Sequence, residues 1–124
     1  MAKIDEIKDI LLCIDAIEFA YLFGSYARKE ETKRSDIDIA LYLKKENYSF
    51  DTKLQIHHLL EIKLHKEIDL VFLNKVKNFY LLENILNEGI LLKDSNDDKR
   101  ILYELDKEHE IKDYKAFKRL LDVA

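Results

Sequence analysis

The sequence predicts a small α/β domain, a short mixed sheet covered by helices, and three observations carry that expectation. Ile4, Ile7, Ile10, Leu11 and Ile14 recur at helical spacing near the start. Short apolar or alternating runs at Glu18 to Phe23, Asp36 to Leu43 and Glu67 to Leu73 have the length and β-branched or aromatic content of strands. Between and after them come longer segments with helical periodicity. The resulting order is α-β-α-β-α-β-α-α.

Taken in turn, residues from about Ile4 to Ala16 form an amphipathic helix. Glu18 to Phe23 is short and, after Glu18, apolar and aromatic, which reads as a buried strand, and Gly24-Ser25 ends it. Asp36 to Leu43 alternates, with Asp36 and Asp38 on one face and Ile37, Ile39 and Leu41 on the other. Asp51 to His65 is helical, with a broad apolar stripe of Leu54, Ile56, Leu59, Leu60, Ile62 and Leu64. Glu67 to Leu73 is the third strand, and Asn74 or Lys75 to Asn87 the next helix. Gly89 stands where a left-handed C-cap is expected, and Ile90 to Leu92 reads as a short edge strand. The stretch from about Asp97 to Leu121 is one long helix, or two broken near Lys107 to Glu110. Its Tyr114, Phe117, Leu120 and Leu121 are the candidate surface for a subunit or partner contact, packing on its own sheet being the equal alternative.

Composition limits what such a domain does. The chain has 124 residues, enough for one domain. It is 48% hydrophobic and 37% charged, which excludes disorder and leaves material for a modest core. No apolar run is long enough to span a bilayer. The first residues, Met1 to Glu6, turn acidic at once, so they read as mature cytoplasmic sequence and not as a leader. A net charge of −4 argues against direct nucleic-acid binding. The single cysteine, Cys13, cannot form an internal disulfide, and its apolar neighbours predict a packed core thiol.

The chemistry concentrates in Gly24-Ser25-Tyr26-Ala27-Arg28 and Ser35-Asp36-Ile37-Asp38. A glycine directly after a buried strand lets the backbone turn and approach a ligand closely. A helix beginning near Ser25 offers free N–H groups to a phosphate, and the Ser25 hydroxyl can cap that helix or donate to the phosphate. Asp36 and Asp38, two apart on a strand, project together and repel unless a cation lies between them. An all-oxygen pair of this kind suits Mg2+ or Mn2+. Asp69, inside the apolar run Glu67-Ile68-Asp69-Leu70-Val71, supplies a third carboxylate at a position that otherwise disfavours one. Each feature alone is weak, and the constellation is what carries the function. Arg28, Lys29 and Arg34 are candidate phosphate contacts, with a solvated surface role equally open. Tyr21, Tyr26 and Tyr42 are core or cleft residues, and Tyr26 is a lesser candidate for stacking on a base. His57, Glu61 and His65 share a helical face, which on a charged helix is more often solvated surface than a zinc site.

Between Ser25 and Asp36 lie ten residues, so the chain reads Gly-Ser, ten residues, Asp-x-Asp. That pattern, with Leu22-Phe23 before it and Ile39 after it, resembles the minimal nucleotidyltransferases of the DNA polymerase β superfamily, to about Lys93. The resemblance implies a polymerase-β-like sheet flanked by helices, a core over about 3–93 and a helical C-terminal segment over about 97–122, all within one domain spanning 1–124. It implies that Gly24, Ser25 and Arg28 bind the nucleotide. Asp36, Asp38 and Asp69 would be catalytic and ligate Mg2+ or Mn2+, with ATP as substrate and Asp69 activating the acceptor hydroxyl. Where the family commonly has a glycine after Ala-Arg, this chain has Lys29, on the helix surface or altering the loop up to Arg34.

Minimal members of this kind resemble the antitoxins of two-gene pairs whose partner is a HEPN ribonuclease toxin, onto a tyrosine of which AMP is transferred. The same resemblance leaves homodimer and hetero-oligomer open. Two alternatives stand beside it: a non-catalytic module that neutralises a partner by occlusion, and an enzyme acting on a small molecule such as an aminoglycoside. Intact Asp36, Asp38 and Asp69 count against the first. The absence of a recognisable substrate domain counts against the second.

Overall fold

A computed structural model of the chain describes residues 4–95 and 97–123. The first three residues, where the core is expected to begin and on which the leader-free reading partly rests, lie outside the described residues. Five helices and four strands follow in the order α1 (Ile4–Leu12), β1 (Ile17–Phe23), α2 (Gly24–Ala27), β2 (Ile37–Leu43), α3 (Phe50–Leu64), β3 (Ile68–Phe72), α4 (Phe79–Glu88), β4 (Ile90–Lys93) and α5 (Lys99–Val123). The sheet runs β3-β2-β1-β4, with β2 and β3 parallel and the other pairs antiparallel. It is the mixed, helix-flanked sheet expected. The parallel pair is bridged by α3, because two parallel strands cannot be joined by a tight turn.

Helices cover both faces, which explains why Phe19 to Phe23 of β1 reads as an unbroken apolar run. Ala20 and Leu22 pack with Ile37, Ile39 and Leu41 against Ile7 and Leu11 of α1 and Ile56, Leu60 and Leu64 of α3. Phe19 and Tyr21 face the other way with Ala40, onto Leu82 and Ile85 of α4 and Ile111 of α5. Each fully buried Leu or Ile contributes about 1.5–3 kcal/mol. An aromatic cluster anchors α5: the Phe19 and Tyr42 rings stack at 4.9 Å, and the Tyr103 ring lies 5.4 and 5.3 Å from them. Tyr103 donates its hydroxyl proton to the Leu73 carbonyl at 2.8 Å, and Tyr21 donates to Glu104.

Several expectations are corrected. Helix α1 ends at Leu12, four residues early, and Cys13 beyond it is exposed. Gly89 is extended, with φ −67°, so it is no left-handed cap. A Cβ there would collide with the Ile85 carbonyl oxygen and stand 3.3 Å from Tyr21 Cβ, so glycine is needed for close approach instead. Of the two alternatives for the C-terminal segment, one long helix is the one found, without a break near Lys107. On α3, Ile56, Leu60 and Leu64 are buried while Leu54, Leu59 and Ile62 are exposed, so the stripe is narrower than the sequence suggests. The α5 residues divide: Ile111 is buried and the Tyr114 ring lies 5.1 Å from Phe79, whereas Phe117, Leu120 and Leu121 are exposed. No helix among the described residues is long and apolar enough to cross a membrane.

Candidate active site

The site forms where β1 ends and β2 begins. Strand pairing sets Phe23 opposite Asp38, and the parallel register sets Asp38 beside Asp69. Residues directly paired across a sheet share a face. Asp36 lies just ahead of the strand, exposed but near enough for its charge to act on Asp38. The sheet thus sets side by side two carboxylates 31 residues apart in sequence, with Asp36 at the entry to β2. The opposite face of β2 carries Ile37 and Ile39 into the core.

Gly24 adopts φ +71°, and a Cβ built on it would lie 2.9 Å from Asp38 Cγ and closer still to Oδ2. The Asp38 carboxylate therefore rests against the backbone of the turn, at the place where only glycine fits. Burial, reinforced by the neighbouring Asp69 and then Asp36, pushes the Asp38 carboxyl up to about 6, with Arg28 opposing. Like charges this close cannot all ionise comfortably without a counter-ion. Asp36 and Asp69 are exposed. Among the described residues no group of three or more His, Cys, Asp or Glu side chains is placed to hold a metal ion.

Helix α2 is a single turn whose N-cap is Phe23, with no side-chain cap. Ser25 is therefore not its cap, and its side chain is half-buried. Tyr26 is 6% exposed within the α1–α3 core, which removes it from base stacking. Arg28 is exposed and lies 3.4 Å from Glu30. His57 bonds the Ile68 carbonyl at 2.7 Å and approaches Glu61 at 3.5 Å, closing the edge of β3 instead of building a metal site.

The departure at Lys29 has a structural meaning. Lys29 takes φ +59°, its N–H bonds the Tyr26 carbonyl at 3.3 Å, and the Glu30 N–H bonds the Ser25 carbonyl at 2.9 Å. That is a Schellman ending of α2, whose left-handed residue favours glycine. Lys29→Gly is expected to stabilise the protein by about 0.5–1 kcal/mol, read as a rise in the denaturation midpoint in urea. A lower midpoint would mean that the lysine side chain contributes more than its backbone conformation costs.

With this geometry in hand, comparison with known proteins is specific. Residues 5–98 match the family model described as polymerase beta, nucleotidyltransferase. Two proteins of Methanocaldococcus jannaschii, provisionally named protein adenylyltransferases, are similar. One is 37% identical over 93 residues, covering 68% of this chain and 93% of its own. The other is 35% identical over 91 residues, covering 71% and 96%. Among solved structures, a toxin–antitoxin complex with AMP-PNP superposes with a TM-score of 0.78 at 22% identity, covering 97% of this chain and 95% of that one. An MNT antitoxin in complex with a tri-AMPylated HEPN toxin from Shewanella oneidensis gives 0.70 at 23% identity, covering 98% and 95%. The structures establish the fold, and the family match with its 37%-identical relative establishes the kinship. The chain is a nucleotidyltransferase of the polymerase β family.

Proposed function

We propose that this nucleotidyltransferase moves AMP from ATP onto a tyrosine hydroxyl of a HEPN-type toxin and thereby acts as its antitoxin. The observation that carries the chemistry is the carboxylate pair Asp38–Asp69, with Asp36 at the entry to β2, set against the backbone of Gly24. All the candidate ligands are oxygens, which fits Mg2+ or Mn2+, and the raised Asp38 pKa is the electrostatic signature of a site that accepts positive charge. The Asp36 side chain, being exposed, is free to turn inward as third ligand. When bound, divalent ions would neutralise charge on the triphosphate and the leaving pyrophosphate. In this scheme the turn at Gly24 and the Ser25 hydroxyl hold the triphosphate. Arg28 contributes a nearby positive charge, and Asp69 draws the proton from the acceptor hydroxyl.

The acceptor is assigned by similarity and by shape. The relatives named as protein adenylyltransferases favour a protein side chain, and the toxin–antitoxin complexes that share the fold favour a HEPN toxin. A groove of about 250 Å³ opens along β3 beside Asp69, lined by Phe50, Leu54, His57 and Phe72, a suitable surface for an aromatic acceptor.

The test is incubation with ATP labelled at the α-phosphate, Mg2+ and the protein product of a neighbouring gene. Label is expected on a tyrosine of that partner, falling at least about 100-fold with Asp36→Asn plus Asp38→Asn. No label, with binding to the partner retained by the variant, would leave neutralisation by occlusion as the function. Label on an added aminoglycoside alone would make it a small-molecule enzyme.

A further inference from the structure

The loop that delivers Asp36 is held by a residue outside the motif. Thr32 to Ser35 forms a turn: the Ser35 N–H bonds the Thr32 carbonyl at 3.1 Å, and the Thr32 N–H bonds Ser35 Oγ at 2.9 Å. Within itself the turn is exposed, and nothing in it fixes the direction in which Asp36 leaves. That direction is set from the connection between α3 and β3. The Lys66 ammonium donates to the Lys33 carbonyl at 3.0 Å and to the Ser35 carbonyl at 3.1 Å. The next residue, Glu67, accepts from the Ile37 N–H at 3.1 Å. The peptide groups on both sides of Asp36 are therefore bonded to two consecutive residues, and Asp69 follows two residues later. Lys66 also stands 5.8 Å from the centre of the Tyr26 ring, within cation–π range, which ties it to α2 beside Ser25.

We propose that Lys66 is the positioning residue of the carboxylate site, holding the Ser35–Asp36 backbone in register with Asp69 so that all three carboxylates can serve one metal centre. The inference rests on the metal-binding function proposed above. Its physical basis is that donors to a ligand's neighbouring backbone orient the ligand, and their loss typically weakens metal binding about 10- to 100-fold. A charged donor serving two carbonyls is stronger than a neutral one, and a lysine can reach both while keeping its stem along the protein surface. The left-handed residue His65, at φ +53°, ends α3 and turns the chain so that Lys66 faces the loop. The ammonium is already engaged by two carbonyls, which separates this role from a direct phosphate contact.

The experiment compares wild type with Lys66→Met, which keeps the stem and removes the charge, and with Lys66→Arg, which restores a forked donor. Mn2+ binding is measured by electron paramagnetic resonance of the free ion, without nucleotide, alongside thermal denaturation and backbone hydrogen exchange. The expected result for Lys66→Met is Mn2+ affinity about 10-fold weaker and faster exchange confined to residues 33–37, with the rest of the fold protected. Lys66→Arg should recover most of the affinity. In label-transfer assays, Lys66→Met should raise the Mn2+ needed for half-maximal rate while leaving KM for ATP at saturating metal unchanged. Unaltered Mn2+ affinity in folded Lys66→Met overturns the proposal, as does a change confined to KM for ATP, which would make Lys66 a phosphate contact. Affinity lost only in proportion to unfolded protein overturns it too. Wild type that binds no Mn2+ would instead remove the metal site itself, and this inference with it.

Discussion

Asp38→Asn will reduce nucleotidyl transfer by about a thousandfold or more and yet raise the melting temperature at pH 7.5. The two effects have one cause. Asp38 has its carboxyl pushed up to about 6 by burial and by Asp69, against an ordinary value of 3.8. A carboxyl raised in the folded state favours the protonated fold: its stabilising contribution is complete below pH 3.8 and is lost as pH rises through about 6. At neutral pH the ionised group therefore strains the fold, and asparagine, of the same shape and uncharged, relieves it. The side chain is only partly buried, so solvent screening reduces the gain to about 1 kcal/mol, or about 3 °C. Melting curves at pH 5 and 7.5 without metal check the sign: wild type should lose stability between them, and the variant much less. Added Mg2+ should raise the wild-type midpoint at pH 7.5 more than the variant's, because the variant has lost one of the three carboxylates proposed to attract the ion. A variant that melts below wild type at both values would show that Asp38 stabilises the fold and does not strain it.

This conflict between stability and function is also why the site is legible in the sequence. Sequences avoid an Asp in an apolar strand unless something needs it, so Asp38 stands out against Ile37 and Ile39. Asp69 stands out in the same way against Ile68 and Leu70, although the edge strand leaves it exposed and its position does not disfavour an acid. Strand β1 is legible for the opposite reason, because from Phe19 to Leu22 it is buried on both faces and Glu18 is its one charged position. The less legible features depend on which of two equivalent groups the fold uses. Asn74 and Asn78 are both plausible N-caps for α4. Asn74 instead spends its amide on the Leu43 backbone, donating at 2.9 Å and accepting at 2.9 Å, so Asn78 caps the helix and α4 starts at Phe79. Cys13 lies beside apolar residues, but α1 has already ended, and burial follows the helix face, not the neighbours. Lys66 was invisible for a related reason. One lysine among many carries no signal until the loop it holds has been folded against it.

Gly24→Ala will cost both stability and activity, and the reason can be separated from ordinary glycine effects. Two penalties act together at this position. The backbone holds φ +71°, which costs an alanine about 1 kcal/mol, and the new methyl collides with the Asp38 carboxylate. The carboxylate can be displaced only by moving a proposed metal ligand, or the turn only by moving the backbone proposed to bind phosphate. The variant should therefore be destabilised by about 2 kcal/mol in urea denaturation and transfer nucleotide at least about 100-fold more slowly, the usual effect of misplacing reacting groups by about 1 Å. A double-mutant cycle in stability distinguishes the two penalties. In an Asp38→Ala background the colliding carboxylate is gone, so Gly24→Ala should cost only the backbone term, leaving a coupling of about 1 kcal/mol between the sites. Equal costs in both backgrounds would reduce Gly24 to a turn residue chosen for its φ alone. Unequal costs would mean that the turn and the carboxylate constrain each other directly, which ties the proposed phosphate-binding backbone to the proposed metal site through a contact that admits no side chain.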